Sequence, residues 1–379
     1  MVLAPLFRLM AEKQASDLFF TSGAPINIKI NGIIRPVNNQ ILDSEKIREF
    51  AYNLMNEEHA REFETEWDVN FAINLPDTGS FRVNVFHQRS SVSMVIRYIR
   101  EKIQDIPSLN LPPMLRDLIM EKRGLVLVVG AAGQGKSTTL AAMIESRNQR
   151  STGHILTIED PIEYRFTHRK SIINQREVGT DARSYSSALV NAMREAPDVV
   201  MIGEIVDQET LRHTLLFSQA GHLCLSTLHA NNSYHALNRI ITFFPYEARN
   251  SLLSDLSISL KCIISQRLIP SVSGKLVPAV EILLNTKHIA ELIKSGNIDQ
   301  VKEAMEQSLA SGSQTFEQSL YHLYKDGQIS FEDAMANSDS PSNLSAIIEY
   351  SEHREKTNQP EVVRTGSFTH FQIDMENKS

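Results

Sequence analysis

Two hydrophobic patterns divide the chain. In the first hundred residues apolar and polar residues alternate, as in PINIKINGIIRPV at 25–37 and SFRVNVFHQRSSVSMVIRYI at 80–99, which is the pattern of half-buried strands. The Asn-Gly pair inside the first run predicts a hairpin, and PDTG at 76–79 predicts a turn before the second run. A charged helical stretch at 44–66 separates the two runs, and a short amphipathic helix begins the chain. The pattern therefore predicts a small α+β module.

The rest of the chain has short, continuously apolar runs between helical patterns. These runs are GLVLVVG, HILTIED, DVVMIGE and HLCLSTL. Strands of this kind are buried on both faces, so they predict a parallel sheet with helices on either side. Helical patterns dominate after Pro278. The expected fold class is thus α/β and α+β in one chain.

The boundaries between these parts follow from composition. REKIQDIPSLNLPPML at 100–115 holds three prolines and little periodicity, which predicts an interdomain linker. The residues from 349 onward are polar and aperiodic and predict a flexible tail. The expected division is an N-terminal domain at 1–100, a linker at 101–117, an α/β domain at 118–348 and a tail at 349–379.

Composition narrows the classes of function. The chain has 379 residues and a net charge of −7, which argues against nucleic acid as a main partner, because phosphate contacts need a basic surface. No apolar run reaches the ~18 residues of a membrane span. Cys224 and Cys262 lie far apart and in apolar surroundings, so we expect them to fill the core rather than to bind zinc or form a disulfide.

The segment from Gly130 to Ser137, GAAGQGKS, fits the phosphate-loop pattern G-x-x-x-x-G-K-[ST] without a gap. A strand-like run precedes it and a helical run follows it, which is the required context. Glycines let backbone N–H groups close around a phosphate, the lysine reaches the β- and γ-phosphates, and the serine offers its hydroxyl to Mg²⁺. The predicted nucleotide-contacting residues are Gly130, Ala131, Ala132, Gly133, Gln134, Gly135, Lys136, Ser137 and Thr138.

Carboxylates follow two of the apolar runs. Glu159, Asp160 and Glu163 follow one run, and Glu204 follows another. An acid at the carboxyl end of a parallel strand beside a phosphate loop points into the ligand crevice. Glu204 is the better candidate for holding Mg²⁺ through water or for activating the attacking water, and Asp160 or Glu163 could share that work. The alternative is that such carboxylates cap the next helix.

Two histidines flank the last apolar run. His222 precedes it and His229 follows it. His229 is followed by a turn, Ala-Asn-Asn, and a histidine there could contact the γ-phosphate and report its loss. A lone histidine at a strand end is more often structural, but this strand follows two that carry nucleotide-site residues.

Arginines are concentrated on the alternating strands of the first module. Arg82, Arg89, Arg97 and Arg100 lie within nineteen residues. They form either a solvated face or a set that reaches ATP from another domain or subunit. An arginine finger raises the rate of hydrolysis by roughly 10³–10⁵-fold. Arg82 and Arg97 are our candidates for such a role.

Together these motifs resemble one family, the type IV pilus retraction ATPases of the secretion-ATPase superfamily. Its motifs follow in order: ASDLFFTSGAPINIKINGIIRPV, the phosphate loop, TIEDPIEY, NQREVGTDARSYSSALVNAMREAPDVVMIGEI and AGHLCLSTLHA. Two further segments continue the family pattern, IISQRLIPSVSGKLVPAVEILLNT and SQTFEQSLYHLYKDGQIS. The resemblance therefore covers about residues 1–345. The opening SDLFF and the long C-terminal segment resemble the PilU branch more than the PilT branch.

The resemblance implies a PAS-like N-terminal domain, a RecA-like P-loop ATPase domain and a ring-shaped homo-hexamer, cytoplasmic and peripheral at the inner membrane. It implies that ATP and Mg²⁺ bind between the domains and that turnover powers pilus retraction and twitching motility. The implied partners are an inner-membrane platform protein and a PilT-type ATPase. The implied site residues are Lys136 and Ser137 of Walker A and Glu204 of Walker B. The resemblance also implies Glu163 of the acidic box, TIEDPIEY, and His222 and His229 of the histidine box, AGHLCLSTLHA.

Three positions depart from the family pattern. Ala131-Ala132 replaces the usual Pro-Thr or Ala-Thr, Ala196 replaces an aspartate, and Val206 replaces the arginine of GEIRD. None of these changes removes a catalytic group. The last two would weaken a subunit contact or the coupling of hydrolysis to motion.

Other ATP- or GTP-binding classes fit less well. The chain has no Asn-Lys-x-Asp guanine motif and no paired Cys-x-x-Cys insertion of the extension and secretion ATPases. A small-molecule kinase would not need the histidine box, and a DNA-translocating ATPase would be more basic. The remaining alternative is a slow or non-hydrolysing ATP-binding scaffold of the pilus machine.

Overall fold

The computed structural model describes residues 3–30, 32–76, 78–99, 102–308 and 310–357, with side chains up to Ser351. No helix in these ranges is both long enough and apolar enough to cross a membrane.

The chain forms two compact units. The first contains Met1–Leu268 and Leu276–Thr315, and the second contains Ile269–Lys275 and Phe316–Ser379. The first unit therefore includes both predicted sheets. The predicted domain boundaries remain predictions, because these units divide the chain at other points.

The first sheet has six strands in the order β3-β2-β1-β6-β5-β4. They are β1 (Asp17–Phe20), β2 (Pro25–Ile30), β3 (Ile33–Ile41), β4 (Asp68–Leu75), β5 (Gly79–Gln88) and β6 (Ser91–Ile99). All neighbouring strands are antiparallel. The predicted hairpin is confirmed as β2–β3, and the second alternating run is confirmed as the β5–β6 pair.

Three helices cover this sheet: α1 (Ala4–Lys13), α2 (Ser44–Leu54) and α3 (Glu57–Glu66). The predicted helical stretch at 44–66 is two helices, because Met55 is extended and the Asn56 side chain accepts a hydrogen bond from His59 N, which starts a new helix. The predicted opening helix is confirmed as α1. Its Phe7 is fully buried, with its ring centroid 4.5 Å from that of Phe81 on β5.

The second sheet has seven strands in the order β13-β12-β7-β11-β10-β8-β9. They are β7 (Gly124–Val129), β8 (Gly153–Glu159), β9 (Ser171–Glu177), β10 (Val199–Ile202), β11 (Leu223–Leu228), β12 (Leu260–Pro270) and β13 (Leu276–Leu284). The pairs from β12 to β9 are parallel. All four predicted strands are present.

Both faces of this sheet are buried, as predicted. Along β7, Leu125 and Leu127 join one hydrophobic cluster, while Val126 and Val128 join another. All four side chains are fully buried. Alternate residues of a strand point to opposite faces, so each cluster lies on its own side of the sheet. Cys224 belongs to the cluster of Leu125, and Cys262 belongs to the cluster of Val126. Burial raises the pKa of both thiols.

Helices precede, separate and follow these strands along the chain. They are α4 (Leu115–Leu118), α5 (Lys136–Arg150), α6 (Tyr185–Ala192), α7 (Gln208–Gln219), α8 (Ser233–Thr242), α9 (Arg249–Ser259), α10 (Lys287–Ser295) and α11 (Val301–Glu306), with 3₁₀ turns at Tyr246–Ala248 and Ile298–Gln300.

The segment predicted as a linker packs against the second sheet's core. Ile106, Leu111 and Leu115 are buried in the same cluster as Val126 and Val128. The prolines of this segment therefore shape an irregular but anchored connection.

The second compact unit contains α12 (Phe316–Lys325), α13 (Phe331–Ala336) and α14 (Pro341–Thr357), which contact one another. Helix α14 extends into the segment predicted as a tail, so residues 349–357 are helical. The rest of the predicted tail, 358–379, lies outside the described residues.

The buried ring of Phe7 makes α1 an integral part of the first sheet's core. We expect Phe7→Ala to lower the free energy of unfolding by about 3–5 kcal/mol, because it leaves a cavity beside Phe81. Denaturant unfolding of the full chain measures this. The exposed neighbour Arg8→Ala is the control and should change stability by less than about 0.5 kcal/mol. Equal effects of the two variants would contradict this packing.

Candidate nucleotide site

The carboxyl ends of β7, β8, β10 and β11 meet at one edge of the second sheet. A cavity of about 480 Å³ opens there, a size typical of small-molecule sites. The phosphate loop and the acidic box line it from one side. Asp17, Lys29 and Arg97 of the first sheet line it from the other. The cavity therefore lies between the two sheets of the first unit.

Glycines of the phosphate loop allow its backbone to approach β12. A Cβ atom on Gly130 would lie 2.7 Å from the Gln266 carbonyl oxygen, and one on Gly135 would lie 2.8 Å from Gln266 Nε2. Gly133 and Gly135 also have φ values of +78° and +81°, which glycine adopts readily. The loop leads into α5, whose first N–H groups have no partner within the helix and form a natural anion site.

The Lys136 ammonium group is buried behind this loop. Its Nζ donates to the carbonyl oxygens of Gly130 and Ala131, both at 2.9 Å. Burial lowers the pKa of Lys136, and the carboxylates of Glu204 and Glu163 oppose that effect. Gly130 and Ala131 thus hold the lysine rather than line the cavity.

His229 lies between the lysine and Glu204. Its Nδ1 is 3.4 Å from Lys136 Nζ, and its Nε2 is 3.2 Å from Glu204 Oε1. An ammonium group can only donate, so Nδ1 accepts and Nε2 carries the proton that it donates to the carboxylate. His229 therefore connects the two predicted catalytic groups.

Glu204 follows the end of β10, where the chain turns at Gly203. A Cβ atom on Gly203 would lie 2.9 Å from the Tyr185 hydroxyl and 3.3 Å from Glu159 Cα, so the close packing here requires glycine. Glu204 lines the cavity. Its Oε2 has no hydrogen-bond partner in the part of the chain that the structure describes, which leaves it able to hold a water molecule.

The acidic box brings three carboxylates to the cavity. Asp160 and Glu163 line it together with Glu159. Glu159 is only 7% exposed and accepts hydrogen bonds from Thr157 Oγ1 at 2.7 Å and Gln175 Nε2 at 3.2 Å. Burial raises the pKa of Glu159 to about 7, and the neighbouring Glu163 contributes in the same direction.

The remaining loop residues divide between the cavity and its support. Ala132, Gly133, Gly135, Ser137 and Thr138 line the cavity. The Thr138 hydroxyl is 2.8 Å from the Tyr164 hydroxyl. Gln134, in contrast, is turned toward β12, where its Oε1 accepts from Leu268 N at 2.6 Å.

Gln266 on β12 is a supporting residue that the sequence analysis missed. It is buried, its Oε1 accepts from Thr139 Oγ1 at 2.6 Å, and its Nε2 donates to Gln134 O at 2.8 Å. It thus joins the loop to the first turn of α5. A polar residue within an apolar strand, IISQRLI, is the signal that could have identified it.

The two arginine candidates are cross-strand partners on β5 and β6, but their side chains contact different residues. Arg97 lines the cavity, and its Nε donates to Asp17 Oδ1 at 2.9 Å. Arg82 does not line it but pairs with Glu177. The finger role predicted for Arg82 therefore has no support within one chain. Arg100 lies outside the described residues.

His222 lies at the opposite end of β11. Leu223 pairs with Gly124 at the start of β7, whereas Leu228 pairs with Val129 beside the phosphate loop. The Nδ1 atom of His222 is 2.7 Å from Pro197 O. Within one chain the full length of a strand therefore separates His222 from the loop, and its contact with the nucleotide stays a prediction.

Two departures from the family pattern lie near these elements. Ala196 has φ +48°, a left-handed conformation in which aspartate and asparagine are more common than alanine. Val206 is 49% exposed, two residues after Glu204.

Comparison with known proteins identifies the family. A family model described as "Type II/IV secretion system protein" matches residues 2–277. The chain belongs to this family. The type IV pilus ATPase PilU of Pseudomonas aeruginosa is 49% identical over 344 residues, which cover 90% of this chain and 90% of that protein. The retraction ATPase PilT of the same organism is 36% identical over 91% of this chain and its own entire length.

A solved structure supports the same conclusion. The crystal structure of the pilus retraction motor PilT with bound ADP superposes with a TM-score of 0.82 and 40% identity, over 90% of this chain and 99% of that one. The family resemblance and the fold class inferred from the sequence are therefore confirmed.

The residues present fit a nucleotide accompanied by Mg²⁺. The glycine cradle, the α5 N-terminus and Lys136 suit phosphate oxygens. Among the described residues, no group of three or more His, Cys, Asp and Glu side chains could hold a metal ion alone. The ion would therefore rely on phosphate oxygens as well as on the Ser137 hydroxyl and Glu204.

The buried amide of Gln266 braces the phosphate loop against α5. We expect Gln266→Leu to raise the KM for ATP about tenfold, because a lost buried hydrogen bond corresponds to about 1–3 kcal/mol. Steady-state turnover against ATP concentration measures the change. The control is Gln307→Leu, at an exposed residue directly after α11. An unchanged KM with normal folding would contradict the bracing role of Gln266.

The buried carboxyl of Glu159 predicts a pH dependence of stability. Its folded-state pKa lies above the ordinary value of 4.5 at about 7. The native state thus retains a proton that the unfolded chain releases, and stability falls as pH rises between these values. The loss is on the order of 3 kcal/mol, since one pKa unit corresponds to about 1.4 kcal/mol.

Glu159→Gln tests this dependence, because its amide oxygen still accepts from Thr157 and Gln175. We expect the variant to flatten the unfolding free energy between pH 4.5 and 7. Urea unfolding at several pH values measures it. The same slope in both proteins would assign the dependence to other groups.

Proposed function

We propose that this chain is a Mg²⁺-dependent motor ATPase that powers type IV pilus retraction, as a PilU-type motor that works with a PilT-type partner. The observation that carries the proposal is the connected set Lys136–His229–Glu204 beside a glycine-lined loop. The similarity to PilU and PilT supplies the biological process. The proposed division remains an N-terminal domain at 1–100, a linker at 101–117, an ATPase domain at 118–348 and a tail at 349–379.

Binding would exploit groups that are already positioned. Lys136 is oriented by two loop carbonyls and lines the cavity in which a phosphate would bind. The α5 N-terminus adds N–H donors and a positive helix end. Arg97, 53% exposed at its side chain and paired with Asp17, offers a second cation from the opposite wall. Together these cations would offset the charge of the phosphates.

Hydrolysis would use Glu204 as the group that orients and deprotonates water. The hydrogen bond from His229 Nε2 occupies Glu204 Oε1. Oε2 then remains for the attacking water. Mg²⁺ held by Ser137, by Glu204 through water and by phosphate oxygens would neutralise developing charge, and Glu163 and Asp160 would orient water around it.

The proposed assembly is a homo-hexamer at the cytoplasmic face of the inner membrane, bound to the platform protein of the pilus machine. The exposed Val206 supports a second candidate, an ATP-binding scaffold with slow turnover, because the family usually has arginine there.

Turnover by the purified full chain tests the proposal. We expect Lys136→Ala and Glu204→Ala to reduce kcat about 100-fold or more while leaving the oligomer mass unchanged, since each removes a group that acts on the transition state. Lys122→Ala, an exposed lysine before β7, is the matched control and should retain wild-type turnover.

The outcomes separate the two candidates. A hexameric wild type with turnover and hexameric variants without it would support the motor. Full turnover in Lys136→Ala would refute the assigned site. ATP binding without turnover in the wild type would favour the scaffold.

A further inference from the structure

Glu177 at the end of β9 is a buried carboxylate with partners from three segments. Its Oε2 accepts from Ile162 N at 3.0 Å, and its Oε1 accepts from Thr180 Oγ1 at 3.1 Å and from Arg82. The residue is 8% exposed. A carboxylate buried to this extent needs such donors, because an unpaired buried charge is strongly unfavourable.

The bond to Ile162 acts on the acidic box. Ile162 lies between Asp160 and Glu163, both of which line the cavity. Glu177 accepts a hydrogen bond from the backbone N–H of the residue before Glu163, and this bond fixes the backbone of the acidic box at that point. Glu177 does not line the cavity itself, so its effect on catalysis passes through this backbone.

The bond to Arg82 comes from the first sheet. Arg82 lies on β5, and its side chain is 20% exposed. Ser80, on the same strand, accepts a hydrogen bond from Arg165 Nη1 at 2.6 Å. Strand β5 therefore contacts Arg165, the residue directly after the acidic box, and through Glu177 it contacts Ile162 within the box. The position of the acidic box thus depends on the position of β5.

We propose that Arg82 and Glu177 act together as positioning residues that couple the N-terminal sheet to the acidic box and hold Glu163 in its working place. This inference rests on the ATPase function proposed above. It gives Arg82 a role through Glu177 rather than at a phosphate. Movement of the first sheet would then alter the catalytic carboxylates without any direct contact between Arg82 and the nucleotide.

A double-mutant cycle on the full-length protein tests the coupling. Arg82→Gln and Glu177→Gln should each lower kcat about 100-fold, the effect of roughly 1 Å of misplacement, with a smaller change in the KM for ATP. The double variant should be no slower than the slower single variant, because both changes break one connection. Arg82→Lys should recover part of the loss, since it retains the charge without the planar fork.

A second measurement does not depend on turnover. Hydrogen exchange followed by mass spectrometry should show faster exchange in a peptide covering 160–165 for each single variant. A peptide covering 153–158 of β8 should remain protected, which separates a local effect from general unfolding. The exposed pair Glu57→Gln and Arg61→Gln on α3 is the matched control and should change neither readout.

The outcomes discriminate clearly. If the two kcat effects multiply and exchange at 160–165 stays at the wild-type rate, Arg82 acts directly on the nucleotide and the proposal is overturned. If the wild type lacks turnover, the ATPase proposal fails, while exchange at 160–165 still decides whether the pair positions the acidic box. Unchanged exchange in both single variants overturns the coupling in every case.

Discussion

The ammonium group of Lys136 is buried, and a buried charge is unfavourable unless nearby groups compensate it. Here the compensation comes from two carbonyls of its own loop, from His229 and, at longer range, from Glu204 and Glu163. The rest of the site follows from this requirement. The glycines let the loop curl around the lysine, and Gln266 holds the curled loop against β12. A phosphate would find a cation that is already oriented.

The sequence predicted those elements and site residues that depend on a pattern within a few neighbouring residues. The phosphate loop, the carboxylates after β8 and β10 and the four central strands follow from patterns within a few residues. Strands β1 and β4 of the first sheet and β9, β12 and β13 of the second sheet were not predicted. Strand β9 lies at an edge and mixes polar with apolar residues, and β12 begins at Leu260, directly after α9, with no turn residue to mark the change.

Side-chain pairing across distant segments was beyond sequence reasoning. Arg82 and Arg97 have the same residue type and the same alternating context, yet one meets Glu177 and the other meets Asp17 at the cavity. The two arginines are direct cross-strand partners on β5 and β6, so the difference arises from the carboxylates that other segments bring to each side chain, Glu177 from the end of β9 and Asp17 from β1. His222, in contrast, precedes its strand, and in the predicted parallel sheet that end lies away from the phosphate loop; the pairing of β11 with β7 agrees with this.

Strand β3 forms one edge of the first sheet, and Ile33 and Ile34 on it are more than half exposed. Such an edge can recruit a strand from another molecule and begin aggregation. Pro36 lies in the middle of β3 and lacks an N–H group, and Arg35 beside it is charged and exposed. An added strand would therefore meet an interrupted ladder and an unpaired charge. The open edge of the first sheet is thus protected against pairing with a strand of another molecule.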